Sequence, residues 1–431
     1  MSTPAPPESA IRRTAVPLAL MLACPPGVLV LWMICAHFDG SVLAFLHGIT
    51  LAKFFALCPR PSVTALSMLA VFAVLEGLLL VLLPGKVHYG PVTPAGNRPR
   101  YRLNGVAAWV ITHGVILVAA YPLGLFRLGE IYDNLGSILA TTNVLALALC
   151  FVLYLKGVRA PSSSDNGRTG NFVWDYFWGV ELHPTAFGVS LKQFVNCRLS
   201  MMGWSVIVLS CAAKQYETTG HVSNTMMISA ALQVVYLLKF FWWESGYFGS
   251  LDIMHDRFGF YIFSGVAVWV PCVYALVSQF LVLHPVDLPL PLAVAIFVFG
   301  ILSIWANYDA DAQRQRVRET GGKTTIWGKP PETMVAKYVT ADGKEHESLL
   351  LLSGWWGLSR HFHYVAEIGL ALAWTLPAGF AHIVPYTYVV FLSALLVDRA
   401  GRDDRRCRAK YGADWERYCE RVRWRIVPYV Y

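Results

Sequence analysis

The sequence predicts an all-α fold, a polytopic integral membrane protein with about ten transmembrane helices, and three observations carry that prediction. Hydrophobic residues make up 56% of the 431-residue chain and charged residues only 14%, proportions foreign to a soluble protein. The apolar residues arrive in long blocks, many of them close to the roughly 20 residues a helix needs to cross a hydrocarbon core. The basic residues follow the positive-inside rule when both termini are placed in the cytosol. Of the 35 Lys and Arg, only Lys53, Arg60, Arg127 and Lys214 then fall on the far side, with Lys239 inside a span.

The segment before Ala15 is short and Pro-rich and carries Arg12 and Arg13. The apolar run after it is too long for the core of a cleaved signal and reads as a retained signal-anchor. Spans are then expected from Ala15 to Phe38, Ser62 to Leu83, Leu103 to Tyr121, Gly136 to Leu155, Leu199 to Ala213, Val222 to Trp243, Phe260 to Leu283 and Leu288 to Ala306. Two short ones, Tyr364 to Phe380 and Ile383 to Val397, are separated only by Ala381 and His382 and suit a tilted hairpin. The net charge of +8 is first an orientation signal, so nucleic acid is not an expected partner. The nine cysteines contain no Cys-x-x-Cys pair, which argues for packed free thiols rather than a disulfide or zinc framework.

Three cytosolic loops are long enough to carry function. Gly85 to Arg102 is rich in Gly and Pro and holds Lys86, Arg98, Arg100 and Arg102; an ordered turn with topogenic charge explains it better than a binding site does. Gly157 to Arg198 starts with the flexible-looking run APSSSDNG and becomes aromatic at Trp174, Tyr176, Phe177 and Trp178, a pattern an interfacial belt also produces. In Asn307 to His363 a strand pair is expected around the turn at Asp342-Gly343.

Chemistry concentrates near the C-terminus. Between Arg399 and Arg425 lie ten Lys or Arg, interleaved with Asp403, Asp404, Asp414 and Glu416 and with Tyr411, Trp415, Tyr418 and Trp424. A helix on anionic lipid would account for the charge. The interleaved acids suggest a fixed network instead, and aromatics beside Arg offer stacking surfaces for flat rings. Arg314 and Arg318 share a face if their segment continues the preceding helix, where they serve either topology or a phosphate. In SGWWGLSRHFHY, small residues allow close backbone approach while Trp356, Tyr364 and Arg360 supply rings and charge; His361 and His363 lack a third metal ligand at helical spacing. Glu76, His113, Lys239, Glu244, Glu367 and Asp398 sit at or in the membrane, where ionisable groups face a protein interior or a wet cavity. The stretch with Glu244, His255 and Asp256 reads as a cavity mouth. Tyr236 and Tyr261 are phenols that pack, or donate a proton in an apolar site. GGKTT from Gly321 lacks the leading glycine of a phosphate loop, so any nucleotide requires an unconventional site.

Two stretches, GNFVWDYFWGVELHP from Gly170 and LVDRAGRDDRRCRAKYG ending at Gly412, resemble signatures of the sterol reductase family, which includes delta-14 and delta-24(28) reductases and the reductase portion of lamin B receptor. They depart from it at Thr185, where Arg is common, and at Asp398, where His or Asn is common. LPGKVHYGPVTPAGNRP, APSSSDNG, FFWWESGYF and SGWWGLSRHFHYVAEI look like the plant-type delta-7 branch in particular. The resemblance implies a cytosolic N-terminal segment at 1–14 and a single membrane-embedded reductase domain at 15–431, with 222–431 forming NADPH and sterol pockets. It implies cofactor contacts at Arg314, Arg318, Leu351, Trp356, His363, Tyr364, Asp403, Cys407, Arg408, Ala409, Lys410, Tyr411 and Tyr418, with His363 in place of an Asn frequent in relatives. Tyr236, Arg399 and Asp403 match positions tied to the proton donor and its orientation.

The implied reaction is NADPH-dependent reduction of the 7,8 double bond of a 5,7-diene sterol by protonation and hydride transfer, with no metal. The sterol arrives from the bilayer, membrane lipids are the other partner, and in a eukaryote the membrane is that of the endoplasmic reticulum. Three alternatives remain: a delta-14 sterol reductase, a membrane methyltransferase of the isoprenylcysteine type, which shares a similar C-terminal pattern, and a sterol-binding scaffold.

Overall fold

The computed structural model describes residues 11–93, 95–339, 343 and 345–431. It divides into two units, Met1–Leu288 with Ala378–Pro385, and Pro289–Pro377 with Tyr386–Tyr431.

The first unit is a bundle of seven principal helices: α1 (Arg13–His37), α2 (Val63–Leu82), α3 (Gly105–Ala120), α4 (Leu135–Arg159), α5 (Gln193–Thr219), α6 (Asn224–Trp242) and α7 (Phe260–Leu283). All but α3 are long and apolar enough to cross a membrane. Their burial differs sharply. The apolar windows of α1 and α2 are 22% buried, whereas those of α5 and α7 are 72% and 67% buried. α5 and α7 therefore form the protein core, and α1 and α2 turn apolar side chains such as Leu22, Val71 and Leu82 outward, a surface that only lipid satisfies. Pro271 sits in a π-helical stretch of α7, Gly265–Tyr274. The wider turn accommodates the missing N–H, and Gln279 Nε2 donates to Cys272 O at 3.1 Å.

Charge inside this unit is closed. Arg198 on α5 is fully buried; its Nη1 lies 2.6 Å from Glu244 Oε1 and its Nη2 donates to Asn104 Oδ1 at 2.8 Å. Asn104 Nδ2 in turn donates to Leu80 O and Leu83 O, both at 3.2 Å, and Gly105 N donates to Glu244 Oε2 at 3.2 Å. A Cβ at Gly105 would stand 2.7 Å from that same oxygen, so only glycine admits the carboxylate. Glu244, expected at a cavity mouth, is thus a structural partner. The other intramembrane acid, Glu76, accepts from Thr112 Oγ1, and His113 Nε2 faces Ser205 Oγ at 2.7 Å.

The first two long loops carry regular structure. Strands β1 (Lys86–Tyr89) and β2 (Arg100–Leu103) pair antiparallel, and a two-residue pair joins β3 (Thr185–Ala186) to β4 (Val189–Ser190). The run APSSSDNG is not a loose link: Asp165 within it is buried and accepts from Thr93 Oγ1 and Asn97 Nδ2, both at 2.8 Å. A buried carboxylate demands donors, and these tie the first loop to the second.

The second unit contains α8 (Leu290–Glu319), the hairpin β5 (Thr333–Val339) and β6 (Glu345–Leu351), then α9 (Phe362–Thr375), α10 (Thr387–Tyr411) and α11 (Ala413–Arg421). The hairpin appears where the sequence suggests it; its Asp342 lies outside the described residues, and Gly343 has φ 78°. Two helices outrun their apolar stretches. α8 continues to Glu319 instead of ending near Ala306, and α10 continues to Tyr411 instead of Val397. A helix satisfies its own backbone in water as in lipid, so hydropathy marks where the apolar face ends, not where the helix does. Among the described residues seven helices reach spanning length and apolarity, α8 included, and the shorter α3 and α9 with the first half of α10 make up the remainder of the ten expected.

Candidate functional site

The second unit assembles most of the expected cofactor residues around the end of α8. Because α8 runs on past the apolar stretch, Arg314 and Arg318 lie on it one turn apart. Arg314 Cζ sits 4.3 Å from the centre of the Trp356 ring, a cation–π contact, while its Nη2 bonds Asp311 Oδ1 at 2.9 Å. Trp356 is fixed from the other edge, its Nε1 donating to Ala310 O at 2.6 Å. The neighbouring Trp355 donates from Nε1 to Asp309 Oδ2 at 2.8 Å and from its backbone to Gln313 Oε1 at 3.2 Å. Gly354 makes this turn possible: its φ is 64°, and a Cβ would stand 2.6 Å from Ile326 Cγ2.

From Trp356 a chain of rings leads to an acid. Trp356 and His363 are 5.1 Å apart, His363 and Tyr364 4.3 Å, and Tyr364 stacks on His361 at 5.0 Å and 8°. His361 Nε2 lies 3.8 Å from Asp403 Oδ2. Burial pushes the His361 imidazole down to about 4 against the opposing pull of Asp403, so at neutral pH the ring is neutral. The acid is also gripped by Arg406 Nη2 at 2.6 Å. Asn307 supports the chain from α8, donating to His363 O at 3.1 Å and Glu367 Oε2 at 2.8 Å.

The end of α10 and α11 pack onto the hairpin. Cys407, Trp415, Tyr418 and Val422 form one core with Ala336 and Leu350. Burial raises the Cys407 thiol to about 12, a packing group rather than a nucleophile. Tyr418 donates from its hydroxyl to Leu351 O at 3.2 Å, so Leu351 contributes backbone. Burial and the like charge of Arg314 lower the Arg318 guanidinium from its ordinary value, with Tyr411, Cys407 and Tyr418 close by. Lys410 Nζ lies 3.7 Å from the Tyr338 ring centre and 5.0 Å from that of Tyr411. Arg408 points to Asp404, 3.7 Å away, and Ala409 is exposed beside it.

Three expected residues stand differently. Arg399 is half-buried midway along α10. Tyr236 belongs to the first unit, half-buried on α6, with Lys239 Nζ 4.8 Å from its ring centre and Trp204 at 5.8 Å. Tyr261 stacks on Trp178 at 5.5 Å. Sequence reasoning gave His361 only a weak metal role, whereas the structure makes it the link between Tyr364 and Asp403. Arg360, expected to offer its charge to a ligand, instead donates from Nη1 to Val422 O at 2.7 Å and Arg423 O at 3.1 Å, and Asp404, expected within a fixed network, holds Trp415 Nε1 at 3.0 Å and Arg425 Nη2 at 3.4 Å. The alternation of acids with arginines was the available signal; which acid serves which partner was not.

Arginine forks, an ammonium group and aromatic faces gathered in one place suit a ligand with both phosphates and flat rings. The chain is 47% identical over 418 residues to a 7-dehydrocholesterol reductase of Arabidopsis thaliana, covering 96% of each chain. It is 38% identical to a 7-dehydrocholesterol reductase of Xenopus laevis, covering 80% of this chain and 73% of the other. It is 34% identical to a Delta(14)-sterol reductase of Methylotuvimicrobium alcaliphilum, covering 96% and 94%. With residues 18–431 matching its pattern from the first spanning helix to the last residue, this membrane protein belongs to the ergosterol biosynthesis ERG4/ERG24 family, the sterol reductases.

Proposed function

We propose that the protein reduces the 7,8 double bond of 5,7-diene sterols with NADPH, from an endoplasmic reticulum membrane in a eukaryote and with both termini in the cytosol. The observation that carries the cofactor half is Arg314 lying on Trp356 beside Arg318 and the ring chain to Asp403. Arg314, Arg318 and Lys410 would hold phosphates, and Trp356, His363 and Tyr364 would flank the rings. When bound, the dinucleotide supplies a hydride. The delta-7 assignment rests on the 7-dehydrocholesterol reductases among the relatives.

The protein's part is to bind, orient and protonate. The lipid-facing apolar surface suits a sterol that arrives from the bilayer. Tyr236 would give its phenolic proton to one carbon of the alkene, and the hydride would then close the carbocation at the other. Arg399 and Asp403 would position the donor. Neutral His361 leaves Asp403 as the local acceptor of a hydrogen bond from that network.

Expression in cells that accumulate 5,7-diene sterols, followed by sterol mass spectrometry, tests the reading: the diene and its ultraviolet absorption should disappear. A second reading, delta-14 reduction, is favoured by the 34% identity to the bacterial enzyme. Conversion of an 8,14-diene with the 5,7-diene untouched would establish it. Thermal stabilisation by S-adenosylmethionine and not by NADPH would overturn both.

A further inference from the structure

Away from the basic cluster, the first unit brings together three ligand-bearing side chains from segments far apart in sequence. Asp39 follows α1, His284 follows α7, and His382 lies in the Ala378–Pro385 segment. Their nearest ligand atoms all fall within 4.8 Å of one another.

The arrangement is built rather than incidental. His284 Nδ1 lies 2.9 Å from Phe280 O, a contact that places the proton on Nδ1 and leaves Nε2 with its lone pair. Nε2 is buried and has no hydrogen-bond partner, although Asp39 Oδ1 stands 3.1 Å away. An imidazole nitrogen and a carboxylate oxygen at that distance are bridged by a proton or by a metal ion, and the third ligand-bearing side chain within reach suits the metal. The Phe280 ring fixes the imidazole by stacking on it at 3.8 Å and 8°, and it also carries His382 at 5.5 Å. Asp39 is held against this shelf by backbone geometry, with φ 54° at Asp39 and 68° at Gly40. A Cβ at Gly40 would stand 2.6 Å from Phe280 Cδ2, so only glycine lets the turn approach.

We infer that Asp39, His284 and His382 form a binding site for a divalent transition metal, Zn2+ by the chemistry of the ligands. Two imidazoles and a carboxylate are a borderline donor set of the kind Zn2+ takes, with a fourth position left for water. Metal–ligand bonds of about 2.0–2.1 Å put tetrahedral ligands roughly 3.3 Å apart, and the His284–Asp39 spacing already matches. His382, half-buried on its short connecting segment, completes the set by a side-chain rotation. The metal would tie the ends of α1 and α7 to the connection between α9 and α10.

The test uses the full-length protein in detergent, stripped with a chelator and titrated with ZnSO4 against a chromophoric competitor. One Zn2+ per chain is expected. His284→Ala and His382→Asn should each weaken binding at least about tenfold, and Co2+ loading should give tetrahedral visible bands that His382→Asn removes. His382→Asn should melt like the wild type without metal, and Zn2+ should raise the melting temperature of the wild type only. Failure of the wild type to compete for Zn2+, or wild-type affinity in both variants, would overturn the site. None of these readouts depends on sterol reduction.

Discussion

Arg198 and Arg314 show two uses of the same side chain. In the first unit Arg198 is fully buried, and both ends of its guanidinium are occupied by Glu244 and Asn104. In the second unit Arg314 is 37% exposed, bonded to one acid and laid flat on Trp356. Arg198 is sealed from any ligand by its burial. Arg314 remains partly exposed on an anchored aromatic base. The difference teaches that in a membrane protein a fully enclosed charge pair marks structure, because neither ion tolerates losing its partner. A half-exposed cation with an anchored ring marks a surface able to receive an anion.

The sharpest way to break this contrast is Glu244→Ala. It leaves Arg198 buried and unpaired and should cost about 3–5 kcal/mol, seen as collapse of folded yield and melting temperature in detergent. Replacing Arg198 and Glu244 together by Met and Leu should cost less than either single change. A Glu244→Ala protein as stable as the wild type would end the structural reading.

Arg314→Ala should do the opposite. NADPH affinity, measured by titration, should fall by about tenfold to a hundredfold, as expected for a hydrogen bond to a charged group worth roughly 1.5–3 kcal/mol, with melting unchanged in the absence of ligand. Arg314→Lys should restore little, since an ammonium lacks the planar fork. Unchanged affinity in both would remove Arg314 from the site.

His361 gives a pH signature to the second unit. Its folded value is about 4 against an ordinary 6.5, so between these values the unfolded chain binds the proton and the folded one does not. Stability is therefore fullest above 6.5 and falls as pH drops towards 4. Melting temperature scanned across that window should decline, and His361→Gln should flatten the decline. The smallest effect belongs to Lys337→Ala, which removes an exposed pair with Glu347 at 3.7 Å and should change stability by no more than about 1 kcal/mol.

Much of this was legible beforehand. Apolar blocks revealed the spans, and the hairpin followed from its flanking strands and Gly343. Of the cofactor residues, Arg314 and Arg318 could be placed on one face provided the helix continued, and it does, to Glu319. Hydropathy could not show that continuation, because the signal it reads stops at the lipid boundary. Nor could it pair Glu244 with Arg198, since the partners come from different helices and no local pattern connects them.

By itself the sequence determined that this chain lives in a membrane, and it drew attention to a basic, aromatic C-terminal segment. Those properties are sums over local composition, and water and lipid act on composition directly. Only the tertiary structure decided which charges are closed in pairs and which remain open, that His361 and not His363 faces Asp403, and that Asp39, His284 and His382 meet. Such outcomes depend on contacts of a few ångströms between segments remote along the chain, which packing creates and composition does not record.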